Sequence, residues 1–191
     1  MLIEQRSALA DLKTLRDLPE NAGKRFELRD GVIIEINPPK PVHAYTALEF
    51  YAAMREYGRK TNRGLAFGDN LGYDLPNGDS LVPDASFVAN ESIRFPLPDA
   101  FTFAPLVVVE VASPSNTERE LLDKVESFLS CGTQLAWIAY IKKRSVDAVR
   151  LDADGRLVIR SYNVNQVLDG EDVLPGFQLP VKDVFPPQGG A

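Results

Sequence analysis

Leu106 to Ala112 reads Leu-Val-Val-Val-Glu-Val-Ala, a nearly unbroken apolar run rich in β-branched residues. Such a run forms a strand buried on both faces of a sheet. Glu110 breaks the pattern. An ionised, unpaired carboxylate in that setting would cost roughly several kcal/mol even after relaxation. Glu110 therefore calls for a cation beside it, either a Lys/Arg or a metal ion, which another part of the chain must supply.

The chain has 191 residues, enough for one domain with a real core. The element order divides it into an N-terminal helix and hairpin (1–41), an αβββαβ core (42–141) and a C-terminal hairpin and tail (142–191). Its one cysteine, Cys131, excludes an intrachain disulfide and fits a reducing, cytoplasmic setting. The N-terminus has no long apolar core of the signal-peptide kind, and no run approaches membrane-spanning length. A net charge of −6 argues against a non-specific nucleic-acid coat. It is compatible with an enzyme whose site makes its own positive centre from a bound metal.

Leu9, Leu12, Leu15 and Leu18 predict an amphipathic helix over Ser7 to Leu18. Lys24 to Ile36 predicts a hairpin around Asp30-Gly31. Glu27, between Phe26 and Leu28, faces the opposite side from both: solvent, or a shared polar pocket. After the breaker at 37–41, a helix is expected from Val42 to Lys60. Its stripe is His43, Ala47, Phe50, Met54 and Tyr57, so the only histidine is either a packed core residue or a site residue. A second hairpin is expected from Arg63 onward, with Asn77-Gly78 as a type I′ turn. Asp84 then stands at a turn or on the following strand, which alternates through Phe87 to Ala89.

Beyond the central run, Thr117 and Glu120 form a capping box that starts a helix ending near Cys131-Gly132. Its apolar seam is Leu121, Lys124, Phe128 and Cys131. Lys124 is out of character there. It either snorkels and pairs with Glu120 one turn earlier, or is aimed at Glu110. Gln134 to Ile141 is a second buried strand. The basic Lys142-Lys143-Arg144 reads as a solvated turn or a phosphate contact. Val146–Leu151 and Leu157–Tyr162 form a hairpin around Asp154-Gly155, and Pro186 to Gly190 reads as a frayed end.

If the strands carrying Asp84 and Glu110 are neighbours, the two carboxylates face one another. They repel unless a divalent ion lies between them. Mg²⁺ accepts one or two carboxylates while keeping several waters. A nearby lysine can orient one of those waters or neutralise developing charge.

The order of elements and the set Asp84, Glu110 and Lys124 resemble the PD-(D/E)XK nuclease superfamily. Pro83-Asp84 resembles its first half-motif. Within it, the chain resembles the Uma2 family of restriction-endonuclease-like proteins. The matching stretches are Phe26-Glu27-Leu28 with Asp30-Gly31, His43, Val82 to Ser86, Val109 to Ser115, Lys124 with Cys131-Gly132 and Trp137-Ile138, and Leu174 to Phe177. Two features depart from the superfamily pattern. The lysine normally found two residues after the acidic residue is replaced by Ala112, and the resemblance supplies Lys124 from the helix instead. The strand after Trp137 also lacks the acidic residue of many relatives, reading Ala139-Tyr140-Ile141.

The resemblance implies an α/β (α+β) fold with a restriction-endonuclease-like core, a mixed sheet flanked by helices and extra hairpins. It implies a Mg²⁺-dependent endonuclease (Mn²⁺ as substitute) acting on nucleic acid, expected to be DNA. Asp84, Glu110 and the Val111 carbonyl would be the metal ligands, and Lys124 would position the attacking water. Glu27 would complete the carboxylate cluster, with His43 at its edge. Two further function classes stay open: a nuclease-fold module that binds nucleic acid or a protein with little turnover, and a structural or toxin-regulating protein with a vestigial site. The flanking hairpins offer free sheet edges, so a homodimer without membrane partners is expected.

Overall fold

The computed structural model describes residues 2–113 and 117–187. The expected match at Pro114-Ser115 and the end of the expected frayed tail lie outside these residues. The first helix, α1 (Leu2–Asp17), begins earlier than the leucine spacing alone predicts. It is followed by β1 (Arg25–Arg29), β2 (Val32–Ile36) and α2 (Pro41–Thr61). Next come β3 (Gly64–Gly68), β4 (Tyr73–Asp74), β5 (Ser80–Leu81), β6 (Ala85–Ala89) and β7 (Val107–Ala112). The chain continues through α3 (Glu118–Ser130), β8 (Leu135–Tyr140), β9 (Ser145–Leu151) and β10 (Leu157–Asn163). It closes with β11 (Val167–Asp169) and β12 (Gln178–Pro180), which pair with each other.

The main sheet has six strands in the order β10-β9-β8-β7-β6-β3. Only β7 and β8 are parallel, joined by α3; the other pairs are antiparallel. The mixed α+β fold read from the sequence is therefore present, with β7 near the centre of the sheet. Both faces of β7 are covered. Val107, Val109 and Val111 pack with Ala47, Phe50 and Met54 of α2. Val108 packs with Leu121, Val125 and Phe128 of α3. Strand alternation thus sends Glu110 to the α3 side.

The helix termini follow their sequence signals. Thr117 accepts from the backbone of Glu120, whose side chain returns the bond. This occupies the Glu120 carboxylate, so it is not the partner of Lys124. Pro41 opens α2 at the first turn, where its missing N–H costs nothing.

The segment from Arg63 to Ala89 is not one hairpin. β3 pairs with β6 in the main sheet, whereas β4 and β5 belong to a second, four-stranded sheet ordered β2-β1-β5-β4. The expected type I′ turn at Asn77-Gly78 is also absent. Gly78 has φ 97°, but Asn77 does not share the positive φ that a type I′ turn needs. Gly78 N–H bonds the Leu75 carbonyl, with Pro76 in the position that favours its fixed φ. Pro76 thus selects a type I turn closed by a left-handed glycine. Asp30 and Gly31 do both have positive φ, 49° and 77°, as a type I′ turn requires.

The second sheet brings β1 to the site. Phe26, Leu28 and Ile33 pack under Leu12 of α1, so one face of the β1–β2 hairpin is closed. Its other face turns toward the main sheet. Asp79 fastens the hairpin, accepting from Asp30 N–H at 2.9 Å and from Ser127 Oγ of α3 at 2.6 Å.

Candidate active site

Five side chains singled out in the sequence meet in one cleft of about 970 Å³: Glu27, His43, Asp84, Glu110 and Lys124. Glu110 lies on β7 and is 4 % exposed. Lys124 reaches it from α3, with Nζ 2.8 Å from Oε1 and 3.0 Å from Oε2. The cation required by the buried carboxylate is therefore this lysine. Nζ also contacts Glu27 Oε1 at 2.7 Å and donates to the Val82 carbonyl at 2.9 Å.

Glu27 does not face solvent. It is buried, receives the Val82 N–H at 2.9 Å and pairs with Arg29 at 2.9 Å. Alternation along β1 correctly put it opposite Phe26 and Leu28. That side proves to be the inner one, because the second sheet docks across the site.

Asp84 immediately precedes β6 instead of lying within it. It still continues the β6–β7 ladder, since its N–H donates to the Val109 carbonyl at 3.0 Å. Its Oδ2 accepts the Val111 N–H at 2.7 Å and lies 3.3 Å from His43 Nε2. The first turn of α2 thus brings the histidine to the aspartate, as a site residue and not as part of the apolar stripe.

The electrostatics follow from burial. Glu110 is pushed up to about 8 by desolvation, with Lys124 opposing and the Asp84 and Glu27 charges adding. Asp84 is also raised by burial, against the pull of His43 and Lys124. Burial raises Glu27 too, but Lys124, the Val82 N–H and Arg29 outweigh it and hold Glu27 below its ordinary value. Burial works against the Lys124 ammonium, yet Glu110, Glu27 and Asp84 hold its pKa above the ordinary lysine value. With all three carboxylates ionised, they outnumber Lys124 and Arg29 by one negative charge; a proton relieves it in the metal-free protein, as the raised Glu110 and Asp84 values show, and a divalent cation would take that proton's place.

The donor chemistry fits a hard cation held by few protein ligands. Asp84, Glu110 and the Val111 carbonyl are oxygen donors, the set that Mg²⁺ and Mn²⁺ favour. Glu110 Oε1 has the Lys124 ammonium 2.8 Å away as an ion pair but no aligned hydrogen bond, the lysine donating to Oε2. Among the described residues no group of three or more His, Cys, Asp or Glu side chains is set to cage a metal. An ion here would thus be completed by water and substrate, as is usual for Mg²⁺.

Ala112 occupies the position where the resemblance led one to expect the lysine. It lies two residues after Glu110 on the same face of β7, where a lysine would reach the same carboxylate. The alanine leaves that position short, and Lys124 comes down from the helix covering this face. Two participants escaped the sequence reading. Arg29 shares the Glu27 face of β1 two residues on, a spacing that could have revealed it. Val82 acts through its backbone alone and leaves no side-chain signal.

The fold as a whole has a counterpart among solved structures. The chain superimposes with a TM-score of 0.78 on a crystal structure described as a putative nuclease belonging to DUF820 from Anabaena variabilis. The two are 21 % identical over 91 % of this chain and 96 % of the other. The chain belongs to the Uma2 family, described as "Putative restriction endonuclease", whose pattern matches residues 12–182. No curated protein matches it.

Proposed function

We propose that this protein is a Mg²⁺-dependent endonuclease that hydrolyses phosphodiester bonds in DNA, with Mn²⁺ able to substitute. The observation carrying this reading is the buried Lys124 ammonium held between Glu110 and Glu27, beside Asp84, in an open cleft. Asp84, Glu110 and the Val111 carbonyl would hold the ion, which when bound would supply positive charge for the phosphoryl group and for activating water.

The chain's own groups do the rest. The Lys124 ammonium, kept charged by its carboxylate neighbours, sets a fixed positive charge beside the place where negative charge grows on the phosphoryl group. It is not the proton acceptor, having no free lone pair. Glu27 and the Val82 carbonyl fix its position, and His43 steadies Asp84. In the reaction the water oxygen bonds to phosphorus and gives up one proton to solvent, the phosphorus–oxygen bond to the sugar breaks, and the leaving sugar oxygen takes up a proton from solvent.

Calorimetry with Mn²⁺ tests the ion site: a saturable site that Asp84→Ala abolishes supports the reading, and no binding by the intact protein rejects it. A second reading, a nuclease-fold module that holds nucleic acid with little turnover, draws on one observation. Lys124 already neutralises Glu110, so the fold does not depend on an ion. DNA binding of equal strength in chelator, without cleavage in Mg²⁺, favours that second reading.

A homodimer is part of the proposal, supported by the exposed Val158 and Ile159 on the edge strand β10. Light scattering at working concentration tests it, a monomer mass counting against it. A cytoplasmic location rests on the single cysteine. Among the described residues no helix is long and apolar enough to cross a membrane.

A further inference from the structure

The cleft-facing side of the β1–β2 hairpin is neither a core face nor an ordinary surface. Its register places Arg25 opposite Ile36, Glu27 opposite Ile34 and Arg29 opposite Val32. Directly opposed residues share a face. One strand therefore presents a row of two arginines flanking Glu27, and its neighbour presents three β-branched apolar residues. Val32 is 60 % and Ile34 40 % exposed, although the opposite face of the same hairpin is closed under α1.

Ile34 and Ile36 line the cleft that holds the carboxylates, and Pro38 and Pro39 continue the apolar wall. Cations line the same cleft from other elements. Lys40 precedes α2, and Lys142 follows β8; neither has an ion-pair partner among the described residues. Arg25 is paired with Asp69 and Arg29 with Glu27, so Lys40 and Lys142 are the cations left open beside the apolar strip that leads to Asp84 and Glu110.

We propose that this cleft takes a single, unpaired DNA strand, its bases lying on the Ile34–Ile36 strip and its backbone tracked by Lys40 and Lys142. This rests on the nuclease reading and names the form of its substrate. A duplex turns sugar and phosphate outward and hides its base faces in the stack, so it has nothing to lay on an apolar strip. Its bases are read by convex elements that enter the grooves. Here the surface is concave, and the carboxylates lie at its floor, the Asp84 and Glu110 side chains being only 20 % and 5 % exposed. A single strand exposes both base faces and backbone, the pairing that positively charged, base-stacking grooves exploit.

The test uses end-labelled DNA of about 20 nucleotides, offered as a single strand, a blunt duplex and a duplex with an unpaired tail. In Mn²⁺, cuts confined to unpaired nucleotides, at a rate at least about tenfold above the blunt duplex, are expected. Equal or faster cutting of the blunt duplex overturns the inference while leaving the nuclease reading intact. If nothing is cut, the nuclease reading fails, and anisotropy with the same DNAs judges the cleft by itself. Single-strand affinity about tenfold above duplex affinity then supports it, and no preference overturns it. Ile34→Glu should weaken single-strand binding by about tenfold while leaving the thermal midpoint near that of the parent. Leu48→Glu, at an exposed apolar site on α2 outside the cleft, should change neither. Unaltered single-strand binding by Ile34→Glu overturns the assignment of the strip.

Discussion

Glu27 of β1 and Lys124 of α3 meet at 2.7 Å, joining the small sheet to the main one inside the site. The contact couples stability to chemistry. Lys124→Ala leaves Glu110 buried without its cation and Glu27 with Arg29 alone, which costs about 3–5 kcal/mol for a broken buried pair. Urea denaturation measures the loss, and a change below about 1 kcal/mol would mean that the pair is effectively solvated. Cleavage by the folded fraction should fall by about a hundredfold or more.

The position of the lysine can be tested by moving it back. Ala112→Lys combined with Lys124→Ala places an ammonium on the same face of β7 as Glu110. The double variant should recover part of the Mg²⁺-dependent cleavage lost in Lys124→Ala. Recovery in single-turnover assays would show that the charge, not the helix that carries it, matters. No recovery despite a native-like melt would count against that view.

Glu110 gives the fold a pH dependence. Its pKa is pushed up to about 8 by burial, from 4.5 in the unfolded chain. Between those values the folded metal-free protein binds more protons than the unfolded chain, so stability falls as pH rises. Asp84, also raised, acts in the same sense starting from lower pH. Glu27 has the opposite shift and acts only below its unfolded value, where acid removes its contribution. In chelator the melting temperature should decline across about pH 5 to 8, and Glu110→Gln should flatten the decline. Mn²⁺ should stabilise most at the upper end, because it binds the ionised carboxylate. An unchanged slope in Glu110→Gln would remove this residue as the source.

Asp79 should act on the site from a distance. It ties the hairpin turn at Asp30 to Ser127 of α3 and also accepts from Asn77 Nδ2 at 3.0 Å. Asp79→Ala leaves these donors without their acceptor, costing about 1–3 kcal/mol. The freed hairpin carries Glu27, so kcat should drop more than KM rises. Steady-state kinetics on the folded protein separates the two.

Gly64 provides a control remote from the chemistry. A Cβ there would clash with the Val88 carbonyl oxygen and lie 2.6 Å from the Phe87 ring. Gly64→Ala should therefore destabilise by about 1–3 kcal/mol through overpacking, with activity per folded molecule unchanged. A denaturation curve and a cleavage assay on the same sample check both halves.

Much of the site was legible because its residues break local rules. Glu110 is a carboxylate in a buried strand, and Lys124 is a cation on an apolar seam. Each implied a partner. The Thr117–Glu120 box and the Asp30-Gly31 turn were legible for another reason: their geometry is set by neighbours in the chain. Asn77-Gly78 misled because Pro76, just before it, selects a different turn.

By itself the sequence determined the order of elements, the burial of β7 on both faces, and the fact that Glu110 required a cation. Those properties depend on side-chain periodicity and on the cost of burying charge, both local. Only the tertiary structure decided that β4 and β5 leave the main sheet to pair with the hairpin. That pairing turns Glu27 inward and lets Val82 bridge it to Lys124. Alternation tells which residues share a face, but the docking of one sheet against another decides which face meets water.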